Sequence, residues 1–204
     1  MNVRGYFSNN WFETTCQRNW ESILPKLQPK KVLEIGSYEG KSAAYLIERL
    51  GSAYPFELYC VDSWSGPGTE YVQGGVDMGA VERRFYENTR IAGERVPNVV
   101  KVFPIKERSN IGLSLLIGQG HLGSFEFVYI DGSHEGHDVF ADAVRSFELT
   151  KVGGIIGFDD VGIGNSRDPH DTVRTAVNIF KDMYGGRIRR VPSTPEQVYL
   201  EKLS

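Results

Sequence analysis

The chain has 204 residues, 40% hydrophobic and 24% charged, with a net charge of −3. That length suits one domain spanning 1–204 and buries roughly 70% of the unfolded surface, enough for a self-sufficient core. The weakly acidic balance argues against an electrostatic grip on nucleic acid, which needs a basic face, and no run approaches the 18 apolar residues of a membrane span.

The one basic cluster, "RIRR" at 187–190, reads as solvated strand residues. Cys16 and Cys60 lack metal-ligand spacing, so a reduced, cytoplasmic protein with a buried Cys60 is expected. The first twenty residues contain no continuous apolar stretch of the signal-peptide kind.

In chain order, a helix carrying Trp11 and Trp20 is expected over about 9–27, within an N-terminal helical segment 1–29. "KVLEIG" (31–36) reads as a strand, followed by a helix with Ala43, Leu46, Ile47 and Leu50 on one face. "ELYCVD" (57–62) is a second strand, then a glycine-rich loop (66–79) and a helix with Val81 and Phe85 inward. "NVVKVF" (98–103) precedes a weak helix near 109–117. "FEFVYID" (125–131) leads to a helix with Val139, Ala143, Val144 and Phe147 inward. "GGIIGFDD" (153–160) leads to a helix on Val173, Ala176, Val177, Phe180 and Met183, stopped by Gly185 and Gly186. Strands near 187–191 and 196–202 form a closing antiparallel hairpin.

Alternating helices and wholly apolar strands imply an α/β, doubly wound, mostly parallel seven-stranded sheet with helices on both faces. Ligands bind such sheets beyond the carboxyl ends of the strands. Glu34–Gly40, Asp62, Asp131 and the Asp159–Asp160 pair all fall there.

The loop "LEIGSYEGKS" (33–42) fails the dinucleotide pattern G-x-G-x-x-G, because Tyr38 takes the second glycine place. An acid such as Glu34 suits a ligand carrying an amino group or a sulfonium better than a pyrophosphate. Asp62 either accepts hydrogen bonds from two ribose hydroxyls or is a turn residue.

Glu-x-Gly-x-x-x-Gly on the first strand, an acid ending the second, and acids ending strands four and five resemble the class I S-adenosylmethionine-dependent methyltransferases. The loop is similar to that of catechol O-methyltransferase-like enzymes. "YIDGSH…DVFADAV…LTKVGGIIGFDDV" is similar to a bacterial and phage subgroup of small-molecule O-methyltransferases. The resemblance spans about residues 30–162 and implies a Rossmann-like methyltransferase fold. It implies that Glu34, Gly36, Ser37, Tyr38, Gly40 and Ser42 hold the methionine part of S-adenosylmethionine and Asp62 the ribose. Ser63 and Trp64 then lie near the adenine, as do residues around Glu107–Ser109, although that stretch departs from the usual Gly-x-Ser. Asp131 is expected at the cofactor as well.

Asp131 and Asp159, on strand ends about 4.8 Å apart, can reach one ion, and Asp160 adjoins them. Without a cation the three would repel, and one would stay protonated; the alternative is that they end strands and cap helices. The resemblance implies Mg²⁺ or another divalent cation on these three positions, beside a hydroxyl of a small-molecule acceptor. His134, three residues after Asp131, is either the general base or a residue that tethers its loop or touches the cofactor. His137 reads as exposed or a cap, His121 as surface loop, and His170 as near a helix start in the loop 162–171. Trp11 and Trp20 are read as core, whereas the resemblance allows the N-terminal helix to lid the pocket.

Other function classes stay in view. One is a non-catalytic cofactor-binding module, and another is transfer to a non-hydroxyl acceptor. Base methyltransferases place Asn/Asp-Pro-Pro-aromatic where this chain reads "DGSH". No nucleic-acid or membrane partner is expected, and the chain is read as a monomer or homodimer.

Overall fold

Residues alternate sides along each strand, and that alternation builds two apolar layers on one sheet. The computed structural model describes residues 4–66, 75–164 and 168–204. Its elements are α1 (Trp11–Thr15), α2 (Gln17–Leu27), β1 (Lys31–Ile35), α3 (Lys41–Gly51), β2 (Phe56–Asp62), α4 (Met78–Gly93), β3 (Val100–Lys106) and α5 (Ser109–Gly118). There follow β4 (Phe125–Ile130), α6 (Gly136–Leu149), β5 (Thr150–Phe158), α7 (Val173–Tyr184), a 3₁₀ turn, β6 (Ile188–Val191) and β7 (Val198–Lys202).

The strands run in the order β3-β2-β1-β4-β5-β7-β6. The first five are parallel, and β7 pairs antiparallel with both β5 and β6. Val32, Leu58, Cys60, Phe127 and Tyr129 face one layer with α1 to α4, whereas Leu33, Ile35, Val61, Val128 and Ile130 face the other with α5 to α7.

The order reverses direction between β1 and β4, which opens the crevice used by ligands in such folds. Register sets what lines it. Ile35 pairs with Val61 and with Ile130, and Ile130 pairs with Phe158. The next residue on each strand therefore falls in one row: Gly36, Asp62, Asp131 and Asp159. Ladder bonds continue into that row, from Gly36 N to Val61 O (2.9 Å), Asp131 N to Ile35 O (2.8 Å) and Asp159 N to Ile130 O (3.0 Å).

Several expectations shift. The helix over 9–27 is two helices, α1 and α2. At the break, the hydroxyls of Thr14 and Thr15 both donate to the Trp11 carbonyl, at 2.9 and 3.0 Å, competing locally for helix acceptors. Trp20 is fully buried, but Trp11 is 53% exposed and is not core. Met183, expected inward on α7, is 68% exposed, and Val144 is only half-buried. The third strand runs later than 98–103 and includes Pro104; as a sheet edge it tolerates the missing donor. The fifth begins at Thr150, before its glycines. "RIRR" is solvated as expected, with Arg189 bridging Glu201 across the hairpin. Cys16 is buried as well as Cys60. Of the loop 66–79, residues 67–74 lie outside the described residues, as do 165–167 of the loop 162–171. Among the described residues no helix is long and apolar enough to cross a membrane.

Candidate active site

A cavity of about 700 Å³ opens over the row of strand ends, a size that takes a cofactor and a small partner. Its floor is the loop after β1. Gly36 has φ +84°, and a Cβ there would lie 2.0 Å from the Asp131 carbonyl oxygen, so only glycine lets β1 and β4 close so tightly. Gly40, also left-handed at +75°, abuts the Phe85 ring and does not line the cavity.

Asp62 ties the loops together. Its Oδ2 accepts from the backbone N–H of Ser37 (2.8 Å) and Tyr38 (2.9 Å), and Oδ1 accepts from Trp64 N–H (2.7 Å). The turn interpretation therefore has direct geometry. A carboxylate offers about four acceptor positions, so one on Oδ1 is left for a ligand. Burial raises the Asp62 pKa, against the pull of those three N–H donors.

Not every expected cofactor residue reaches the cavity. Gly36, Ser37, Tyr38, Ser42, Asp62, Ser63, Ser109 and Asp131 line it. Glu34 does not: it lies fully buried under the loop, where Oε2 accepts from Ser37 Oγ at 2.6 Å. Desolvation pushes its pKa up to about 7, opposed by hydrogen bonds from Ser37 and Ser42. Glu34 thus shapes the loop from beneath. Trp64 is likewise buried, its Nε1 donating to the Tyr38 carbonyl at 2.9 Å.

Asp131, Asp159, Asp160 and His134 all line the other end. Burial, then the charges of Asp159 and Asp160, push the Asp131 carboxyl well above the usual range. Its side chain makes no hydrogen bond among the described residues. Asp160 Oδ2 lies 2.9 Å from His134 Nε2, which gives the tether a concrete partner. All four acceptor positions of Asp159 are taken, by Tyr129 OH, Cys16 Sγ, Gln197 Nε2 and the Asp160 backbone N–H. Among the described residues, the group of three metal-type side chains with ligand atoms mutually within 4.8 Å is Glu135, His137 and Asp171, not these acids.

Tyr38 and Asp160 hold left-handed backbone, at φ +48° and +55°. Such strain in non-glycine residues concentrates at functional sites, and these two bracket the cavity.

The facing wall is N-terminal, the segment that the resemblance allows as a lid. Asn9, Trp11, Phe12, Thr14, Thr15 and Cys16 line the cavity, and the Trp11 ring lies 5.6 Å from that of Tyr38. The segment is stitched to the floor. Asn88 exchanges hydrogen bonds with the Tyr6 backbone (2.8 and 3.2 Å), Ser8 N–H donates to Glu39 (2.7 Å), and Lys41 bonds Asn9 O and Glu13 (2.8 and 2.7 Å). The four-residue spacing of Phe12, Cys16 and Trp20 was the available signal for the inward face; it says nothing of Trp11.

The remaining histidines lie elsewhere. His137 is exposed at the start of α6, bonded to Asp171 (2.7 Å), and His170 is exposed. His121 is half-buried rather than plain surface, packed on the Tyr59 and Phe125 rings.

Residues 33–161 match the methyltransferase-domain family, a span covering every strand end that builds the cavity. The chain belongs to the class I methyltransferase family. The chain is 24% identical over 176 residues to a Dictyostelium discoideum protein described as a probable caffeoyl-CoA O-methyltransferase, covering 85% of this chain and 61% of that one. It therefore spans about three-fifths of that relative. Among solved structures, a Bacillus cereus O-methyltransferase in complex with SAH superposes with a TM-score of 0.60 at 15% identity, over 91% of this chain and 80% of that one. MycE methyltransferase of the mycinamycin pathway, in complex with Mg and SAH, gives 0.56 at 20% identity, over 97% and 51%. At these identities the likeness establishes the methyltransferase fold.

Proposed function

We propose that this methyltransferase moves the methyl group of S-adenosylmethionine to a hydroxyl of a small molecule. The observation that carries this is the single row Gly36–Asp62–Asp131–Asp159, which puts a cofactor loop and a carboxylate cluster in one cavity. The cavity-lining loop residues Gly36, Ser37, Tyr38 and Ser42 hold the methionine end, Asp62 takes ribose through its remaining acceptor position, and Ser63 and Ser109 flank the adenine.

A divalent cation such as Mg²⁺ fits the acid end. Asp131 and Asp160 offer oxygen ligands, the type such hard ions take, and the unbonded, charge-crowded Asp131 is relieved by a cation. Asp159 joins them by releasing its 3.1 Å contact with the Cys16 thiol. When bound, the cofactor supplies an electrophilic methyl group and the cation supplies Lewis acidity toward the acceptor hydroxyl. His134 takes the hydroxyl proton, with Asp160 orienting the imidazole. The N-terminal segment acts as a lid that shields the cavity from water, with Trp11 over the acceptor.

Charge defines the acceptor further. Lys41 and Arg108 are the permanently cationic side chains among the described residues of the lining, and Lys41 is committed to Glu13. Glu107 and Asp138, outside the proposed cation site, add negative charge to the same lining. Such a surface repels polyanions, so the acceptor is a free hydroxylated compound rather than a coenzyme A thioester. A panel pairing free phenols and alcohols with their thioesters tests this. The free compounds are expected to show kcat/KM at least about tenfold higher, the effect of about 1.4 kcal/mol of repulsion. A thioester preference contradicts the acceptor assignment, and tight SAH binding with no product from any acceptor points to a non-catalytic module.

A further inference from the structure

Asp159 is held by a buried polar cluster that reaches from the N-terminal helices to the C-terminal hairpin. Tyr129 OH donates to Asp159 Oδ2 at 2.6 Å, and Gln197 Nε2 lies 2.7 Å from Tyr129 OH and 3.1 Å from Asp159 Oδ1. Cys16 Sγ lies 2.8 Å from Tyr129 OH. The Gln197 Oε1 accepts in turn from Asn19 Nδ2 (2.6 Å) and Tyr199 OH (2.7 Å). Tyr129, Gln197 and Tyr199 are fully buried.

These groups sit among Phe127, Trp20 and Tyr45, where an apolar filling would cost no desolvation. Every donor in the cluster is neutral, so none cancels the Asp159 charge; what the donors fix is its direction. Tyr129 lies on β4 two residues before Asp131, and the register sets its ring beside Gly157 of β5, so its hydroxyl reaches the carboxylate at the strand end. Gln197 comes from the residue before β7.

We infer that Tyr129 and Gln197 are positioning residues that hold the Asp159 carboxylate in register with Asp131 and Asp160. The inference rests on the proposed role of those three acids. It makes the C-terminal hairpin and helix α2 part of the machinery, although neither touches the acceptor.

Tyr129→Phe keeps the ring against Trp20 and removes only the hydroxyl. In the SAH-bound full chain, Mn²⁺ affinity by calorimetry is expected to fall about 10–100-fold, as for other residues that support a metal ligand. The kcat should fall with it, while SAH affinity and acceptor KM stay within about twofold, since orientation rather than binding is lost. In an Asp159→Asn background the same substitution should cost no further Mn²⁺ affinity, because coupled residues are not additive. Unchanged Mn²⁺ affinity and kcat in Tyr129→Phe, or an equal further loss in the Asp159→Asn background, would overturn the inference. If Tyr129→Phe fails to fold by circular dichroism, Gln197→Met is judged by the same readouts. Wild-type chain that methylates an acceptor without taking up Mn²⁺ removes the cation from the account, and kcat alone then decides. Wild-type chain that neither binds SAH nor methylates overturns the proposed function and this inference together.

Discussion

Asp131→Asn should lose activity and gain stability. Removing one oriented charge from a catalytic cluster typically costs about 10²–10³-fold in kcat, and stimulation by Mg²⁺ should vanish with it. The folding effect has the opposite sign. Asp131 has a folded pKa well above its unfolded value, because of burial and then Asp159 and Asp160. A group shifted upward stabilises the fold fully below its unfolded pKa of about 3.9 and loses that contribution as pH rises toward its folded value. At pH 8 in EDTA the wild-type carboxylate is therefore a liability that the Asn variant lacks. The variant should melt higher there, by about 2–4 °C for each kcal/mol relieved in a chain of this size, and should match the wild type near pH 4. Thermal melts across pH, beside steady-state kinetics, measure both halves. A variant that loses activity and stability together would make Asp131 a structural residue.

Asp62→Ala should raise the SAH dissociation constant by about 10–100-fold, the loss of a hydrogen bond to a charged group at about 1.5–3 kcal/mol. The same change frees the N–H groups of Ser37, Tyr38 and Trp64, so weaker binding alone does not separate ribose contact from loop support. The 2′-deoxy analogue of SAH separates them. Wild-type protein should bind it about tenfold more weakly than SAH, and Asp62→Ala should not distinguish the two. If the variant keeps the full discrimination, Asp62 acts through the loop alone.

These two residues show how far the sequence carries. The strand ends were readable because fully apolar runs stop abruptly at Asp62, Asp131 and Asp159, and the βα alternation leaves few ways to order a parallel sheet. Gly36 was readable as part of the cofactor-loop motif, whereas its close approach to the Asp131 backbone appears only in three dimensions. What the one-dimensional pattern leaves open is direction. Glu34 and Ser37 are three residues apart in the same motif, yet only Ser37 reaches the cavity, because the residue on the strand points into the layer beneath. Asp159 and Asp160 are adjacent, yet one is tied inward to Tyr129 and the other faces His134. The left-handed turn at Asp160 makes that difference. Trp11 and Trp20 illustrate the same limit on helices: nine residues apart they fall half a turn out of phase, so Trp20 shares the inward face of Phe12 and Cys16 while Trp11 stays at the cavity mouth. Long-range stitching such as Asn88 to Tyr6 has no local signature at all.

The central claim is that a methyl donor and an acceptor hydroxyl meet in this one cavity. It is tested most directly by incubating the full chain and Mg²⁺ with S-adenosylmethionine carrying an isotopically labelled methyl group and a set of small hydroxylated compounds, then locating the label by mass spectrometry and NMR. The account predicts label on an acceptor oxygen with an equal yield of S-adenosylhomocysteine. Label on nitrogen or carbon, or cofactor recovered intact from every mixture, would contradict it.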